Sequence, residues 1–192
     1  IIYTRKTDVF IPLEERTRIA NANNADLFIS IHTNSAPATS IVRGTETYFY
    51  GATPAAVTDV ITNDENTVVT NQGNTGNINM IAESNRKESE LLARYIQDEY
   101  VKSGRSDRGV KQARFYVLVN TQMPSILTEV GFITAMDEES YMTSENGIKE
   151  ISQDIFNAFL KYKQQTNRGK ALSHMRREQQ RKKIIPVQTS ET

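Results

Sequence analysis

The sequence predicts an α/β fold in which a mostly parallel sheet is flanked by helices. Its 192 residues, 38% of them hydrophobic, are enough for one domain with a buried core. Short apolar segments with strand composition alternate with segments of helical periodicity, which is the pattern of α/β sheets. Cysteine is absent, and no apolar run approaches the roughly 20 residues that span a bilayer. Disulfide-framed and membrane-spanning folds are therefore not expected.

Five segments have the composition of strands. The ADLFISIH segment is almost continuously apolar, which is typical of a parallel strand covered on both faces. The GTETYFY segment alternates and is rich in Thr and aromatic residues, so we expect it nearer a sheet edge. The SILTEV segment follows a Met-Pro turn signal. In chain order the predicted strands are Ile1 to Arg5, Ala25 to His32, Gly44 to Tyr50, Phe115 to Val119 and Ser125 to Val130.

Three segments repeat apolar residues at helical spacing. The first runs from Pro12, suited to the first position of a helix, to about Asn23. The second begins at Ser84 and ends near Gly104, and the third begins near Gly147. Between the strand at GTETYFY and the second helix, residues 51 to about 83 are rich in Asn, Thr and Gly. They indicate an insertion that is helical only in part.

The formal charge is zero but unevenly distributed. From Lys161 onward nine Lys or Arg face two Glu, so the tail carries a surplus of seven positive charges. We therefore predict one domain over residues 1–163 and a basic tail or linker over residues 164–192. The MRREQQRKK stretch could be a nucleic-acid arm. A linker to a further module, or a segment facing anionic polymer, explains it more simply, and we expect no nucleic-acid partner.

His32 and Glu129 are the candidates for chemistry because each lies near the end of a predicted strand. In parallel sheets ligands gather at the carboxyl ends of the strands. An imidazole that binds a metal and a carboxylate that takes a proton from water are parts of a hydrolytic metal site. The spacing alone also fits a structural alternative, in which His32 bonds a loop and Glu129 pairs with Arg108 or Arg114.

The sequence around these residues contains five segments that follow the pattern of a known family. In chain order they are TRKTD, LEERTRIANANNADLFISIHTNS, GTETYFY, RGVKQARFYVL and MPSILTEVGFIT. Together they resemble the zinc-dependent N-acetylmuramoyl-L-alanine amidases, hydrolases of bacterial peptidoglycan. The resemblance covers Ile1 to about Lys163 apart from the insertion, and SIHTNS and TEVGFIT are its specific parts.

The resemblance implies that His32 is one zinc ligand and that Glu129 is the catalytic glutamate. In this family a second histidine, in a Gly-His-Gly-Gly turn, and a helical glutamate also bind zinc, both ahead of the TRKTD motif. The chain opens at Ile1 inside an apolar stretch, so we expect that the domain's first strand and helix, with these two ligands, precede it. His174 lies in the basic tail and is not expected to replace them.

The resemblance also implies a mechanism and a location. Zinc polarises the scissile carbonyl and lowers the pKa of its water, and Glu129 accepts the proton and passes it to the leaving amine. We expect a protein of the bacterial periplasm or cell envelope acting on peptidoglycan, with a role in cell division. Asn34 and Ser35, just past the ligand, are candidates for the substrate groove, or simply turn the chain.

The insertion suggests regulation by an activator protein. Some relatives carry an extra helix at this point that offers a glutamate to the zinc until a partner removes it. Glu65 and Glu83 are the acidic candidates here, although the composition fits a solvated loop equally well. A catalytically inactive amidase-like module that binds peptidoglycan or recruits another hydrolase is the alternative function.

Overall fold

The computed structural model describes residues 1–37, 41–51 and 76–184, with side chains described at 1–37, 41–51 and 80–167. None of the helices in these ranges is long and apolar enough to cross a membrane. The elements, in chain order, are α1 (Leu13–Ala22), β1 (Phe28–Asn34), β2 (Thr45–Tyr50), α2 (Gly76–Lys102), β3 (Asp107–Ala113), α3 (Tyr116–Val119), β4 (Ser125–Phe132), α4 (Met136–Thr143) and α5 (Glu145–Ile184).

The four strands form one sheet in the order β1-β4-β2-β3. β1 runs parallel to β4, and β2 runs parallel to β3, but β2 and β4 are antiparallel. Two of the three neighbouring pairs are therefore parallel, as predicted. All eight residues of β4 and all six of β2 are buried, which marks these two strands as the centre of the described sheet.

Helices cover both faces of the sheet. On one face, side chains of α1 and α3 pack with Tyr48, Tyr50 and Leu127. On the other face, α2 and α5 pack with Phe49, Ile126 and Val130. The predicted stripe of α2 has this role, because its apolar residues lie in the second core, with Leu92, Ile96 and Tyr100 fully buried. The sandwich leaves the ends of the strands as the place where polar side chains can meet.

The helix predictions are confirmed with shifted ends. α1 begins at Leu13, and Pro12 is its N-cap residue rather than its first helical residue. α2 begins at Gly76, eight residues earlier than predicted, while residues 52–75 of the predicted insertion lie outside the described ranges. α5 continues as a single helix to Ile184, past residue 164, where the tail is predicted to start.

Two strand predictions are wrong. Within Phe115 to Val119, Tyr116–Val119 forms the short helix α3 and Phe115 is its N-cap residue. The apolar side chains of this segment are buried in the first core, and that burial explains their apolar character. Ile1 to Arg5 forms no strand, and Ile1, Ile2 and Tyr3 are exposed. An apolar segment becomes a strand only where a neighbouring strand takes its backbone hydrogen bonds, and no described strand pairs with these residues.

Two further expectations about the sheet need correction. β2 is central and fully buried rather than near an edge, because β3 pairs on its outer side. β3 itself was not predicted, since its DRGVKQA sequence is polar and only partly buried. β1 is covered less completely than predicted, because Ile31 keeps 58% of its surface exposed.

Candidate active site

The two residues singled out in the sequence are neighbours across the sheet. His32 of β1 is the register partner of Glu129 of β4, and Glu129 is in turn the partner of Glu46 of β2. Residues directly opposite each other on adjacent strands project from the same face, about 5 Å apart. An imidazole and two carboxylates therefore form one row across three strands.

Burial distinguishes the members of this row. Glu129 and Glu46 each keep only 1% of their surface exposed, whereas His32 is half-buried. The imidazole Nε2 of His32 lies 2.8 Å from Oγ of Ser30, and the tautomer decides which of the two atoms donates. Glu129 is thus a carboxylate in a low-dielectric position next to an imidazole that solvent can reach.

Glu46 was not identified from the sequence, and it organises this end of the sheet. Its Oε1 accepts hydrogen bonds from Nδ2 of Asn34, at 2.8 Å, and from the hydroxyl of Tyr48, at 2.6 Å. Its Oε2 accepts from Nε of Arg108, at 2.9 Å, and from Nζ of Lys111. A carboxylate that receives four donors is a fixed anion and is a poor proton acceptor.

The pKa values in this cluster agree with that assignment. Burial alone would raise the pKa of Glu46, but the hydrogen bonds from Lys111, Tyr48 and Arg108 outweigh it and hold the pKa below its usual range. Burial, followed by the charge and hydrogen bond of Glu46 and the charge of Glu129, raises the pKa of the Tyr48 hydroxyl far above its normal value. Tyr48 is therefore a neutral hydrogen-bond donor at every physiological pH.

The residues that follow His32 have defined contacts. Asn34 keeps 5% of its surface exposed, and besides its bond to Glu46 its Oδ1 accepts a hydrogen bond from the backbone N–H of Ser35 at 2.8 Å. Asn34 thus turns the chain and links the end of β1 to β2. A role of Asn34 and Ser35 in a substrate groove stays a prediction.

The two arginines of the structural alternative both have contacts at the sheet. Nε of Arg108 binds Glu46, and Nη1 of Arg114 lies 3.4 Å from the hydroxyl of Tyr50. Arg108 also lies over the ring of Phe132, with its guanidinium carbon 5.1 Å from the ring centroid. Because Phe132 ends β4, this contact ties β3 to the strand that carries Glu129.

Of the two regulatory candidates, Glu83 is the one that lies within the described residues. Glu65 lies outside the described residues, and so do residues 52–75 around it. Glu83 is exposed on α2, where its carboxylate binds Arg86 at 2.8 Å and it lines a shallow cleft beside Tyr50. Tyr50 ends β2, four residues beyond Glu46, so in this structure Glu83 lies toward the opposite end of that strand. Autoinhibition by either glutamate stays a prediction.

Comparison with known proteins identifies the family. The family model for N-acetylmuramoyl-L-alanine amidase matches residues 1–161. This chain belongs to that amidase family. Relatives include the uncharacterized protein YqiI of Bacillus subtilis, 35% identical over 162 residues that cover 84% of this chain and 63% of that protein. The amidase AmiC of Neisseria meningitidis is 32% identical over 174 residues, covering 84% of this chain and 42% of its own length.

Solved structures confirm the predicted fold class. The amidase AmiC2 of Nostoc punctiforme matches with a TM-score of 0.61 and 28% identity, over 85% of this chain and 72% of that one. An amidase from Clostridium difficile 630 matches with a TM-score of 0.60 and 27% identity, over 82% and 68%. The chain spans less than two thirds of the length of the two curated relatives above.

The described residues do not complete a zinc site by themselves. A catalytic zinc ion has three protein ligands and an open position. Within the described ranges no group of three His, Asp or Glu side chains is arranged to hold a metal ion. In the row at the sheet, Glu46 is engaged by four donors, and His32 is the residue of the row whose side chain is an imidazole. The side chain of His174 lies outside the described set.

Proposed function

We propose that this protein hydrolyses the amide bond between the lactyl group of N-acetylmuramic acid and L-alanine in peptidoglycan. The observation that carries the proposal is the register pairing of His32 with Glu129 at neighbouring strand ends, in a chain of the amidase family. One is a half-buried imidazole and the other is a buried carboxylate. These are the two side-chain types that amide hydrolysis by activated water needs at one place.

Glu129 is the proton carrier in this proposal. Its carboxylate accepts a proton from the water that attacks the lactyl carbonyl carbon, and a tetrahedral intermediate forms. The same proton then passes to the nitrogen of L-alanine as the C–N bond breaks. The products are a lactyl carboxylate on the sugar and a free amino group on the peptide. Glu46 beside it stays ionised, because its four donors stabilise the anion.

We further propose that the protein depends on zinc, with His32 as one ligand. The remaining ligands come from outside the described residues, ahead of Ile1 according to the family resemblance. Zinc is the assignment because the family resemblance implies it and because an imidazole is one of its preferred ligands. The proton transfer assigned to Glu129 is what this chain's own residues contribute to the chemistry.

The proposal includes a location and a partner. Peptidoglycan lies outside the bacterial cytoplasm, so the protein acts in the periplasm or cell envelope, and we propose a role in cell division. An activator protein is proposed for the insertion between β2 and α2. In a fold neighbour of 22% identity, the CwlD amidase of Clostridioides difficile, the structure contains the GerS lipoprotein as a partner.

A product analysis distinguishes the proposal from its alternative. The protein encoded by the whole gene is incubated with purified peptidoglycan, and new N-terminal L-alanine is quantified together with sedimentation of the protein on the polymer. An amidase releases free amino groups of L-alanine in a zinc-dependent manner. A catalytically inactive module that binds peptidoglycan or recruits another hydrolase sediments with the polymer and releases none.

A further inference from the structure

Two cations bind Glu46, the strand neighbour of the proposed proton carrier Glu129. Arg108 and Lys111 of β3 both donate to the same oxygen of Glu46. Lys111 is the register partner of Tyr48, two residues beyond Glu46 on the same face of β2. Glu46 is in turn the register partner of Glu129. The two cations therefore lie on the face of the sheet that carries Glu129 and His32, with β2 between them and β4.

The cations and the carboxylate differ in their access to solvent. The side chain of Glu46 is 1% exposed, while those of Arg108 and Lys111 are 28% and 27% exposed. An ammonium group has three donors and a guanidinium group has five. Each contributes one to the Glu46 oxygen in this cluster, so further N–H groups remain for a ligand. With Glu46, the two cations carry one net positive charge.

We propose that Arg108 and Lys111 form a subsite that binds a free carboxylate of the peptide stem, an inference that rests on the proposed function. The stem starts at the scissile amide and carries free carboxylates, whereas the glycan side of that bond carries none. The nitrogens of both cations bind the carboxylate of Glu46 on β2, which lies one strand, about 5 Å, from β4. Two extended residues span roughly 7 Å. With the scissile carbonyl at Glu129, the carboxylate of the second stem residue reaches the cations.

The geometry of the two cations suits the binding of a ligand carboxylate and not only the neutralisation of Glu46. A guanidinium and an ammonium held by a buried anion are fixed in position before a ligand arrives, which reduces the entropy lost on binding. Arg108 is further held against the ring of Phe132 and Lys111 lies 5.8 Å from the ring centroid of Tyr48. Charge-assisted bonds to a carboxylate are among the strongest that side chains form.

The chain contains a matched control cluster on α2 and α5. Glu99 is 7% exposed and accepts hydrogen bonds from Lys102 and Lys161. It is also a buried carboxylate with two cations. Because α2 and α5 cover the opposite face of the sheet from Glu129, these lysines are not expected to contact the substrate. Lys102→Met is thus the control for Lys111→Met.

The test uses two synthetic N-acetylmuramoyl tripeptides that differ only at the second residue. One has D-glutamate with a free α-carboxylate, and the other has D-isoglutamine with a carboxamide. Dissociation constants are measured on the 192-residue chain by NMR titration at low salt. We expect the carboxylate form to bind about tenfold more tightly or better, from one lost charge-assisted bond in the carboxamide. Lys111→Met and, separately, Arg108→Gln reduce this ratio several-fold, and Lys102→Met retains it.

The outcomes separate this inference from the proposed function. Equal affinities for the two tripeptides, no binding of either, or a ratio unchanged in folded Lys111→Met and Arg108→Gln overturn the subsite. Circular dichroism establishes whether each variant is folded. Two variants are used so that the affinity ratio can still be measured in one of them if the other unfolds. If the gene product releases L-alanine amino groups but the chain binds both tripeptides equally, only the subsite proposal is overturned. A carboxylate preference without any amine release supports the subsite and removes the hydrolysis.

Discussion

Changing Glu46 to Gln is the sharpest structural test of the cluster beside Glu129. The substitution keeps the size and shape of the side chain but removes the negative charge that holds Arg108 and Lys111. It also places an amide where a carboxylate received four donors. Because Glu46 is 1% exposed, water cannot replace the hydrogen bonds that the side chain at position 46 loses.

The structure sets the expected size of the effect. A hydrogen bond to a charged group contributes about 1.5–3 kcal/mol, and two such bonds from cations are weakened. Removing one partner of a buried ion pair costs about 3–5 kcal/mol. Arg108 and Lys111 are each more than a quarter exposed and regain hydration, so the loss is smaller than these values suggest. We expect the free energy of unfolding to fall by about 2–4 kcal/mol.

Urea denaturation followed by circular dichroism measures this loss at neutral pH, with Glu99→Gln as the matched control. The lysines at Glu99 are 59% and 41% exposed, so that variant should lose at most about 1 kcal/mol. A Glu46→Gln variant within about 0.5 kcal/mol of the parent, or no less stable than Glu99→Gln, would refute the reasoning.

The difference in stability between the parent and the Glu46→Gln variant should depend on pH, and the structure gives the sign of that dependence. The pKa of Glu46 in the folded state lies below its usual value, which is about 4.3 in the unfolded chain. Its contribution is therefore complete above about pH 5 and is lost as the pH falls through the lowered folded-state pKa. The stability difference between parent and Glu46→Gln should be constant from pH 7 to about 5 and shrink below about pH 4. A difference that grows on acidification would contradict this.

Three further predictions concern Gly131 near the end of β4, the insertion and the metal. Gly131→Ala should lower the free energy of unfolding, measured in urea, by about 1–3 kcal/mol. Gly131 has a φ of +149°, and an added Cβ would lie 2.9 Å from two side-chain atoms. An unchanged urea midpoint would contradict this prediction. Deleting residues 58–79 from the gene product, or changing Glu65 and Glu83 to Ala, should raise the rate of hydrolysis without an activator in at least one variant. If every folded variant has an unchanged or lower rate, the insertion is an ordinary loop. The 192-residue chain alone should be inactive and hold zinc well below stoichiometry after mild dialysis, because His32 is one of three ligands needed; elemental analysis that finds one zinc per chain would exclude this.

Much of the fold could be predicted because burial and periodicity coincide. The stripe of α2 and the apolar β4 face a core on the sides that their sequences indicate. FYVLV was misassigned because a short apolar run is compatible with a buried strand or a buried helical turn. β3 was missed for the opposite reason, since its polar residues are used at the site and not in the core.

The site was predictable in part. His32 and Glu129 could be paired from their positions at strand ends, and the register confirms that they are neighbours. Glu46 was overlooked although it is an acidic residue within an aromatic strand, the one charged position in TETYFY. Its role depends on Arg108 and Lys111, which are more than 60 residues away in the chain. Contacts of that sequence separation are set by sheet order, which local pattern does not give.

The role of Glu129 is the central claim, and Glu129→Gln in the gene product tests it most directly. Glutamine preserves the shape of the side chain but cannot accept the proton, and losing a general base typically costs about 10²- to 10⁴-fold in rate. Hydrolysis is measured as L-alanine amino groups released from purified peptidoglycan, and zinc content and sedimentation on the polymer are measured on the same samples. The account predicts parental zinc content and binding with hydrolysis reduced by at least about 10²-fold. Digestion of peptidoglycan at the parental rate would contradict it.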